Sequence, residues 1–465
     1  MNNKKVFFLN KTKSTYKQIT EIIMGALLMG LLWRVRGEHG WGSSWGLLNA
    51  GFIFTMFVVF IKGNRKKLDL GWIGITALSF MITTPGWGTL LNQITGVLHT
   101  ADESYGTTVY TSIPSAIFLM LCLGFGLAAL FGIMLGRGFS QKQWKIKDFV
   151  ILIAVFCITD LIANLVISPF ILKLTQPEAV DLFRKGLELN GNSIAPYSAY
   201  LEHFKDLGYA KKIVGGRNYF QSIETISSAV SALVSILVTS FLIKDKVAAR
   251  VGAVTCGAFA FAITASDLFF YFGNGGYHML NKPYLPEFFS SWGCWEYFTG
   301  FIAGAIITAF IVKMKPEKDV EELAFSKIKE KPKTILIFIL STIFMVGVNI
   351  VRPVLVRYED SDALIPAVIL SVLFALIFII ILVNRYGINT SKKPMYIYSR
   401  LILIFFVTYI ILVYLAVGTS DCTHLWGNYA FQHVMTVASA IIINIWLYID
   451  ILTLRKRRKA NEKLS

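Results

Sequence analysis

Long apolar segments recur throughout this chain and restrict it to one class of fold. About a dozen stretches of roughly twenty residues are predominantly apolar. A helix of about 20 residues crosses the hydrocarbon core of a bilayer, and it satisfies internally the backbone hydrogen bonds that lipid cannot supply. Because 55% of the residues are hydrophobic and only 16% are charged, we predict an all-α polytopic integral membrane protein.

About twelve transmembrane helices follow from the positions of these segments. The predicted spans are 18–35, 44–62, 70–90, 113–136, 148–172, 218–243, 248–271, 292–313, 333–352, 363–384, 395–417 and 428–452. A charged cytoplasmic linker, 314–332, separates a bundle of about eight spans in 1–313 from a bundle of about four spans in 333–454. A basic cytoplasmic tail occupies 455–465.

Basic residues lie in short connections on one side of the predicted bundle. They cluster at the N-terminus and at 62–67, 136–147, 244–250, 313–334, 385–393 and 455–463. By the positive-inside rule, this alternation places both termini in the cytoplasm. The net charge of +17 is thus explained by membrane orientation, and no nucleic-acid partner is expected. We expect a multi-pass protein of a cell membrane, the cytoplasmic membrane of a bacterium, with the lipid bilayer as its partner.

The stretch WRVRGEHGWGSSWG, residues 33–46, places polar and aromatic side chains between two apolar runs. In the predicted topology all six histidines lie on the outer side or just inside a span: His39, His99, His203, His278, His424 and His433. Seven of the ten tryptophans do the same: Trp33, Trp41, Trp45, Trp87, Trp292, Trp295 and Trp426. An interfacial tryptophan belt is the alternative for each ring, but a belt forms at both membrane faces. The shared asymmetry favours an outward-facing polar and aromatic cavity.

Arg34 and Arg36 lie at the outer end of the first span, against the positive-inside preference. Guanidinium groups bind phosphate and carboxylate bidentately, so the pair is a candidate anion site. The alternative is that both side chains extend to the outer lipid head groups.

Glu296 precedes Gly300 and Gly304 by four and eight residues, which puts all three on one helix face. Small residues at this spacing let membrane helices pack closely, so we expect Glu296 to face the bundle. A buried carboxylate needs a partner, and we predict a charged or imidazole atom of residues 34–39 or 424 within about 6 Å. His433 shares a face with Thr436 and Ala440 and is also expected to point inward. For both residues a purely structural role is the alternative.

Asp160 lies near mid-membrane in its predicted span, and Asp267 lies nearer the outer end of another. Intramembrane carboxylates often serve in proton or cation relays. The alternative for Asp160 is a structural hydrogen-bonding hub with Asn164 or Asn349. Two further rows of small residues recur every four positions and predict close helix packing: Gly124, Ala128, Gly132 and Gly136, and Ser227, Ser231, Ser235 and Thr239.

Motifs for metal or nucleotide chemistry are weak in this sequence. Glu38, His39, Asp421 and His424 have no metal-ligand spacing, so no metal is expected, and the cofactor is unknown. Cys294 and Cys422 are both predicted to be outward, and a disulfide between them stays open. Pro85 predicts a break in the third span, where Asn92 would line a wet cavity.

Two functions fit these patterns. The first is an extracytoplasmic group-transfer enzyme acting on a lipid-linked or glycan substrate, whose layout is similar to that of membrane glycosyltransferases and glycan ligases. Its candidate acid–base residues are Glu38, His39, Glu296, His424 and His433. Its candidate substrate-binding residues are Arg34, Arg36, Trp41, Trp45, Trp87, Asn92, Trp292, Trp295 and Trp426. The second is a 12-span secondary transporter for a small polar or anionic solute, with Asp160 and Asp267 as coupling residues.

The topology predicts which positions are accessible from outside the cell. Single cysteines introduced at positions 40, 104, 200, 280 and 420 of a cysteine-free protein should react with a membrane-impermeant thiol reagent on intact cells. Cysteines at 64, 140, 246 and 320 should react only after permeabilisation, because the basic loops are predicted to be cytoplasmic. Reversal at two or more positions would contradict the predicted orientation.

Overall fold

The computed structural model describes residues 15–36, 44–62, 70–82, 113–140, 142, 144–175, 177, 180, 219–273, 292–314, 365, 369, 373, 395–418 and 430–464. In these ranges all regular secondary structure is helical. The helices are α1 Thr15–Arg36, α2 Ser44–Lys62, α3 Leu70–Ile82, α4 Ile113–Leu127, α5 Ala129–Arg137, α6 Ile146–Ile162, α7 Ser168–Thr175, α8 Tyr219–Phe241, α9 Lys246–Gly273, α10 Trp292–Lys313, α11 Met395–Gly418 and α12 Ala430–Leu464. A π-helical segment, Ala163–Ile167, joins α6 to α7.

Within the described residues, seven helical segments are long and apolar enough to cross a membrane. This agrees with a helical membrane protein. The predicted spans 44–62 and 292–313 coincide with α2 and α10. The predicted span 70–90 is described only to Ile82, where α3 ends. The predicted spans 333–352 and 363–384 lie outside the described residues, except for positions 365, 369 and 373.

The longest candidate span, Ile146–Thr175, carries a strongly apolar surface. Only 11% of its most apolar window is buried inside the protein. Large apolar side chains on it are exposed, among them Val150, Ile153, Leu161, Leu165 and Phe170. An exposed apolar surface of this extent is unusual for a soluble monomer and is what a lipid-facing helix requires.

Helices α1 and α10 pack antiparallel through glycines on both helices. A Cβ atom at Gly300 would collide with the Met29 carbonyl and the Trp33 side chain of α1. On α1, a Cβ at Gly25 would collide with Thr308 of α10. The predicted packing face of Gly300 and Gly304 is therefore confirmed. This contact brings the C-terminal end of α1 beside the first turns of α10.

Helices α4 and α5 pack against α9 in the same manner. Gly124 lies against the backbone of Phe259 and Ala260, while Gly132 lies against Gly252 and Thr255. Gly136, at the other end of the row, lies against Ala248 and Val251. The predicted close-packing face of this row is confirmed, with one difference in helix geometry. A turn at Ala128 separates α4 from α5, whereas the sequence predicted one continuous helix.

An aromatic cluster ties α1 to the helices behind it. The Trp33 ring lies 4.9 Å from Phe259 of α9 and 6.2 Å from Phe80 of α3. Phe80 in turn stacks on Phe131 of α5 with ring centroids 4.2 Å apart. Trp33, Phe80, Phe131 and Phe259 are all fully buried. The C-terminal half of α1 therefore packs against α3 and α9 as well as against α10.

We expect enlargement of Gly300 to separate α1 from α10. Gly300→Val should lower the thermal unfolding midpoint in detergent, because overpacking costs about 1–3 kcal/mol when the neighbour is backbone. Gly257→Val is the matched control, since no described atom outside its own helix lies within 4 Å of an added Cβ. Differential scanning fluorimetry would measure both variants. Equal midpoints for the two variants would contradict the packing role of Gly300.

Candidate functional site

A buried carboxylate bridges two buried arginines where α1 ends and α10 begins. Arg34 Nη1 donates to Glu296 Oε2 at 2.9 Å, and Arg36 Nη2 donates to Glu296 Oε1 at 3.5 Å. The arginine side chains are 6% exposed and the Glu296 side chain is 11% exposed. The prediction that Glu296 faces the bundle and pairs with a charged atom of residues 34–39 is confirmed.

The packing of α1 explains how these polar side chains are held. The guanidinium carbon of Arg36 lies 4.5 Å from the centroid of the Trp33 ring. The guanidinium carbon of Arg34 lies 5.8 Å from the centroid of the Tyr414 ring on α11. Both distances are within the range of a cation–π interaction. Each arginine is thus oriented by an aromatic face as well as by Glu296.

A second polar group adjoins the first and comes from α11 and α12. Tyr414 Oη lies 2.5 Å from His433 Nδ1, a hydrogen bond whose donor depends on the imidazole tautomer. Gln432 Nε2 lies 3.5 Å from His433 Nε2. His433 is 7% exposed, and Thr436 and Ala440 on the same face are also buried. The predicted inward orientation of His433 is confirmed.

The two polar groups meet above Gly293 in the first turn of α10. A Cβ atom built on Gly293 would overlap Gln432 Oε1 and would lie 2.6 Å from Arg34 Nε. Only a residue without a side chain leaves room for both groups at this position. We name the six residues that converge here, Arg34, Arg36, Glu296, Tyr414, Gln432 and His433, the arginine–histidine cluster.

The cluster combines two kinds of functional group, guanidinium and imidazole, in a buried environment. Two guanidinium groups form a recognition surface for a phosphate or carboxylate. An imidazole beside them provides a group that can accept or donate a proton. Electrostatic interactions between these groups are strong because water is excluded from them. The arrangement is chemically suited to bind an anion and to transfer a proton next to it.

Asp267 on α9 and Trp295 on α10 lie where these two helices pack against each other. They are 3% and 4% exposed, respectively. The Trp295 indole N–H is the polar neighbour of the Asp267 carboxyl, although Asp267 Oδ2 and Trp295 Nε1 do not meet hydrogen-bond geometry with any described residue. Asp267 is therefore a buried residue close to the start of α10.

Asp160 belongs to a different part of the molecule, the contact between α6 and α8. Asn164 Nδ2 lies 3.3 Å from the Asp160 carbonyl oxygen and 3.5 Å from its Oδ2. The predicted contact between Asp160 and Asn164 is therefore present, while Asn349 lies outside the described residues. Among the described residues, no hydrogen bond or ion pair joins Asp160 to the arginine–histidine cluster.

Several residues predicted to form the site cannot be placed by the structure. Those outside the described residues are Glu38, His39, Trp41, Trp87, Asn92, His424 and Trp426, together with Pro85 and Asp421. Trp45 and Trp292 lie in the first turns of α2 and α10, but their side chains are not among those described. Cys294 is buried in α10, while Cys422 lies outside the described residues, so the question of a disulfide between them stays open.

Sequence analysis missed two members of the cluster. Tyr414 lies in the apolar run LILIFFVTYIILVYLAV, where a tyrosine gives no charge signal. Gln432 is uncharged and directly precedes His433, and only the histidine was predicted to belong to the site. The location of both residues in apolar spans was a signal, because a polar side chain inside a membrane helix requires a hydrogen-bond partner.

Loss of the bridging carboxylate should destabilise the protein. We expect Glu296→Gln to lower the free energy of unfolding by about 3–5 kcal/mol, because two buried guanidinium groups lose their shared anion. Glu224→Gln is the control, since Glu224 is exposed on α8. Thermal unfolding in detergent at low and high salt would measure both. A midpoint for Glu296→Gln equal to that of the control would contradict the structural role of this ion pair.

Comparisons with known proteins found no matching family model, no curated protein and no solved structure similar to this chain. The function is therefore argued from the geometry of the described residues.

Proposed function

We propose that this protein is a membrane enzyme that transfers a group from an anionic lipid-linked or glycan donor at the arginine–histidine cluster. One observation carries this proposal: the Tyr414–His433 pair adjoins the arginines that Glu296 bridges. A proton-transfer group and an anion-binding group thus lie side by side, in an environment closed to water. This combination supports acid–base catalysis on a phosphate-containing substrate.

In the proposed reaction, Arg34 and Arg36 hold the phosphate or pyrophosphate of the donor. Negative charge develops on this leaving group as its bond to the transferred group breaks. Preoriented guanidinium groups stabilise that charge more than they stabilise the bound donor, which is the requirement for catalysis. Glu296 acts as a positioning residue, because it orients both guanidinium groups from one carboxylate.

His433 is the proposed general base. When Nδ1 donates its proton to Tyr414 Oη, the Nε2 lone pair accepts a proton from the attacking hydroxyl of the acceptor. The acceptor oxygen forms a bond to the transferred group, and the phosphate leaves with the electron pair of the broken bond. Gln432 Nε2 lies 3.5 Å from His433 Nε2 and donates to this lone pair in the resting state, so the acceptor hydroxyl takes the place of the amide before the proton is transferred. Tyr414 is a positioning residue that selects the tautomer.

The proposed topology places this end of the bundle outside a bacterial cytoplasmic membrane, with twelve spans and both termini inside the cell. Glu38, His39 and His424 would then surround the cluster from the adjoining connections. Tryptophans at the same level, including Trp41 and Trp426, would supply faces for sugar rings. Trp295, which is buried against Asp267, would act in the wall of this cavity.

A secondary transporter is the second candidate, and one observation favours it. Asp160 lies at the centre of a 30-residue candidate span and three residues before a π-helical segment. Such segments occur frequently at functional sites. In that case the arginine–histidine cluster would bind an anionic solute, and Asp160 and Asp267 would serve in coupling.

The enzyme proposal predicts a specific loss of turnover. Purified protein in liposomes would be incubated with a polyprenyl-phosphate-linked hexose and, separately, with a polyprenyl-pyrophosphate-linked oligosaccharide. Release or transfer of the sugar would be measured by thin-layer chromatography. We expect His433→Ala to lower the rate by about 10²–10⁴-fold, the usual contribution of a general base. Arg34→Lys should also lower it, because a lysine cannot reproduce the bidentate fork.

Val434→Ala is the control for these variants, because Val434 neighbours His433 in sequence and is exposed. Its rate should equal that of the unmodified protein. Turnover that is unaffected by His433→Ala would overturn the assigned base. A complete absence of turnover with both donors, together with uptake of an anionic solute into the liposomes, would favour the transporter.

A further inference from the structure

Helices α6 and α8 enclose a polar seam within an otherwise apolar contact. We define the α6/α8 seam by Asp160 and Asn164 on one side and Ser227 and Ser231 on the other. Asn164 Nδ2 donates to Ser227 Oγ at 2.8 Å and lies 3.5 Å from Asp160 Oδ2. Ser227 and Ser231 also lie beside the Asp160 carboxyl. Four polar side chains from two helices thus surround one point in the membrane-spanning region.

Two serines of this seam region lack the partners that burial normally requires. Ser231 and Ser235 are fully buried. Neither Oγ atom meets hydrogen-bond geometry with any described residue. A buried hydroxyl without a hydrogen bond is energetically unfavourable, because it has lost its water partners. Ser231 lies beside the Asp160 carboxyl, so its Oγ is positioned to share a bound ion with that carboxylate.

The backbone of α6 is irregular next to the seam. The π-helical segment Ala163–Ile167 begins three residues after Asp160, and the Ser168 N–H bonds to the Ala163 carbonyl oxygen five residues earlier. A π segment displaces carbonyl groups from the regular ladder. In membrane proteins, helix irregularities at mid-depth direct carbonyl oxygens toward bound cations. The irregularity adds potential oxygen ligands where the carboxylate lies.

The charge of the seam favours a cation of charge +1. Among the described residues, no lysine, arginine or histidine lies within ion-pair distance of Asp160. An isolated carboxylate at the centre of a membrane span is costly. A monovalent cation would neutralise it, whereas a divalent cation would leave a net positive charge in an apolar environment. The donors in the seam are oxygen atoms, which hard cations prefer.

We propose that the α6/α8 seam binds an alkali cation, with Na⁺ as its probe. Asp160, Ser227 and Ser231 supply the ligand oxygens from their side chains. Rotation of the Asn164 amide by half a turn presents Oδ1 in place of Nδ2 without a change in shape. This site is separate from the arginine–histidine cluster, and it does not depend on the group-transfer chemistry proposed there.

Thermal unfolding of the full-length protein in detergent tests the site. Sodium chloride would be exchanged for choline chloride at constant ionic strength and constant pH. Specific binding to the folded state raises the unfolding midpoint with concentration, because only the folded protein assembles the ligands. We expect a rising midpoint with Na⁺ for the unmodified protein. We expect Asp160→Asn to lose the dependence on Na⁺ and Ser231→Ala to reach half the maximal shift at a several-fold higher Na⁺ concentration.

Ser228→Ala is the matched control on α8. Ser228 is next in sequence to Ser227 but lies against Gly126 of α4, so its removal should leave the Na⁺ response unchanged. Each variant is compared with itself in choline chloride, which separates loss of binding from loss of stability. An identical midpoint in both salts for the unmodified protein would overturn the proposal. A Na⁺ response that survives in Asp160→Asn, or that disappears in Ser228→Ala, would also overturn it.

Discussion

The close contact between α1 and α10 sets the position of the charged groups in the arginine–histidine cluster. Gly25 and Gly300 allow the two backbones to approach because neither carries a side chain toward its partner. With the helices antiparallel, the end of α1 meets the start of α10. Arg34 and Arg36 then reach Glu296 directly. A larger residue at the contact would move charges that have few alternative partners in an apolar environment.

Burial determines how much the ion pairs of Glu296 with Arg34 and Arg36 contribute to stability. In a low-dielectric environment the attraction between a carboxylate and a guanidinium is strong, but the loss of hydration is also costly. An ion pair of this kind therefore adds little net stability compared with apolar packing. In the proposed function, this pair orients the guanidinium groups that recognise an anion. The adjoining Tyr414–His433 hydrogen bond then holds the proposed general base beside them.

The architecture separates two kinds of polar chemistry. The arginine–histidine cluster collects cationic and imidazole groups at one end of the bundle, around α1, α10, α11 and α12. The α6/α8 seam collects a carboxylate and hydroxyl groups within a long candidate span. Between them lie apolar and aromatic contacts such as those of Trp33 and Phe259. The two proposed sites therefore differ in charge and share no residue.

The sequence by itself determined the class of protein and the face of several helices. Apolar runs of span length can bury their backbone groups only as helices, and this reasoning predicted α2 and α10 to the residue. The spacing of Glu296 to Gly300 and Gly304 identified the packing face, because residues four apart share one side of a helix. Since a buried carboxylate requires a partner, the pairing with the first span was also predictable.

Only the tertiary structure decided which distant helices complete the site. Tyr414 and Gln432 carry no charge, so no rule based on burial cost distinguishes them from other polar residues in apolar runs. Their roles arise from the packing of α11 and α12 against α1 and α10, which brings Tyr414 to His433 and Gln432 to Gly293. The same holds for Ser231, whose spacing predicts a packing face but not an unsatisfied hydroxyl beside Asp160. Helical periodicity is local and readable in one segment, whereas the neighbours of a face depend on how all the helices pack.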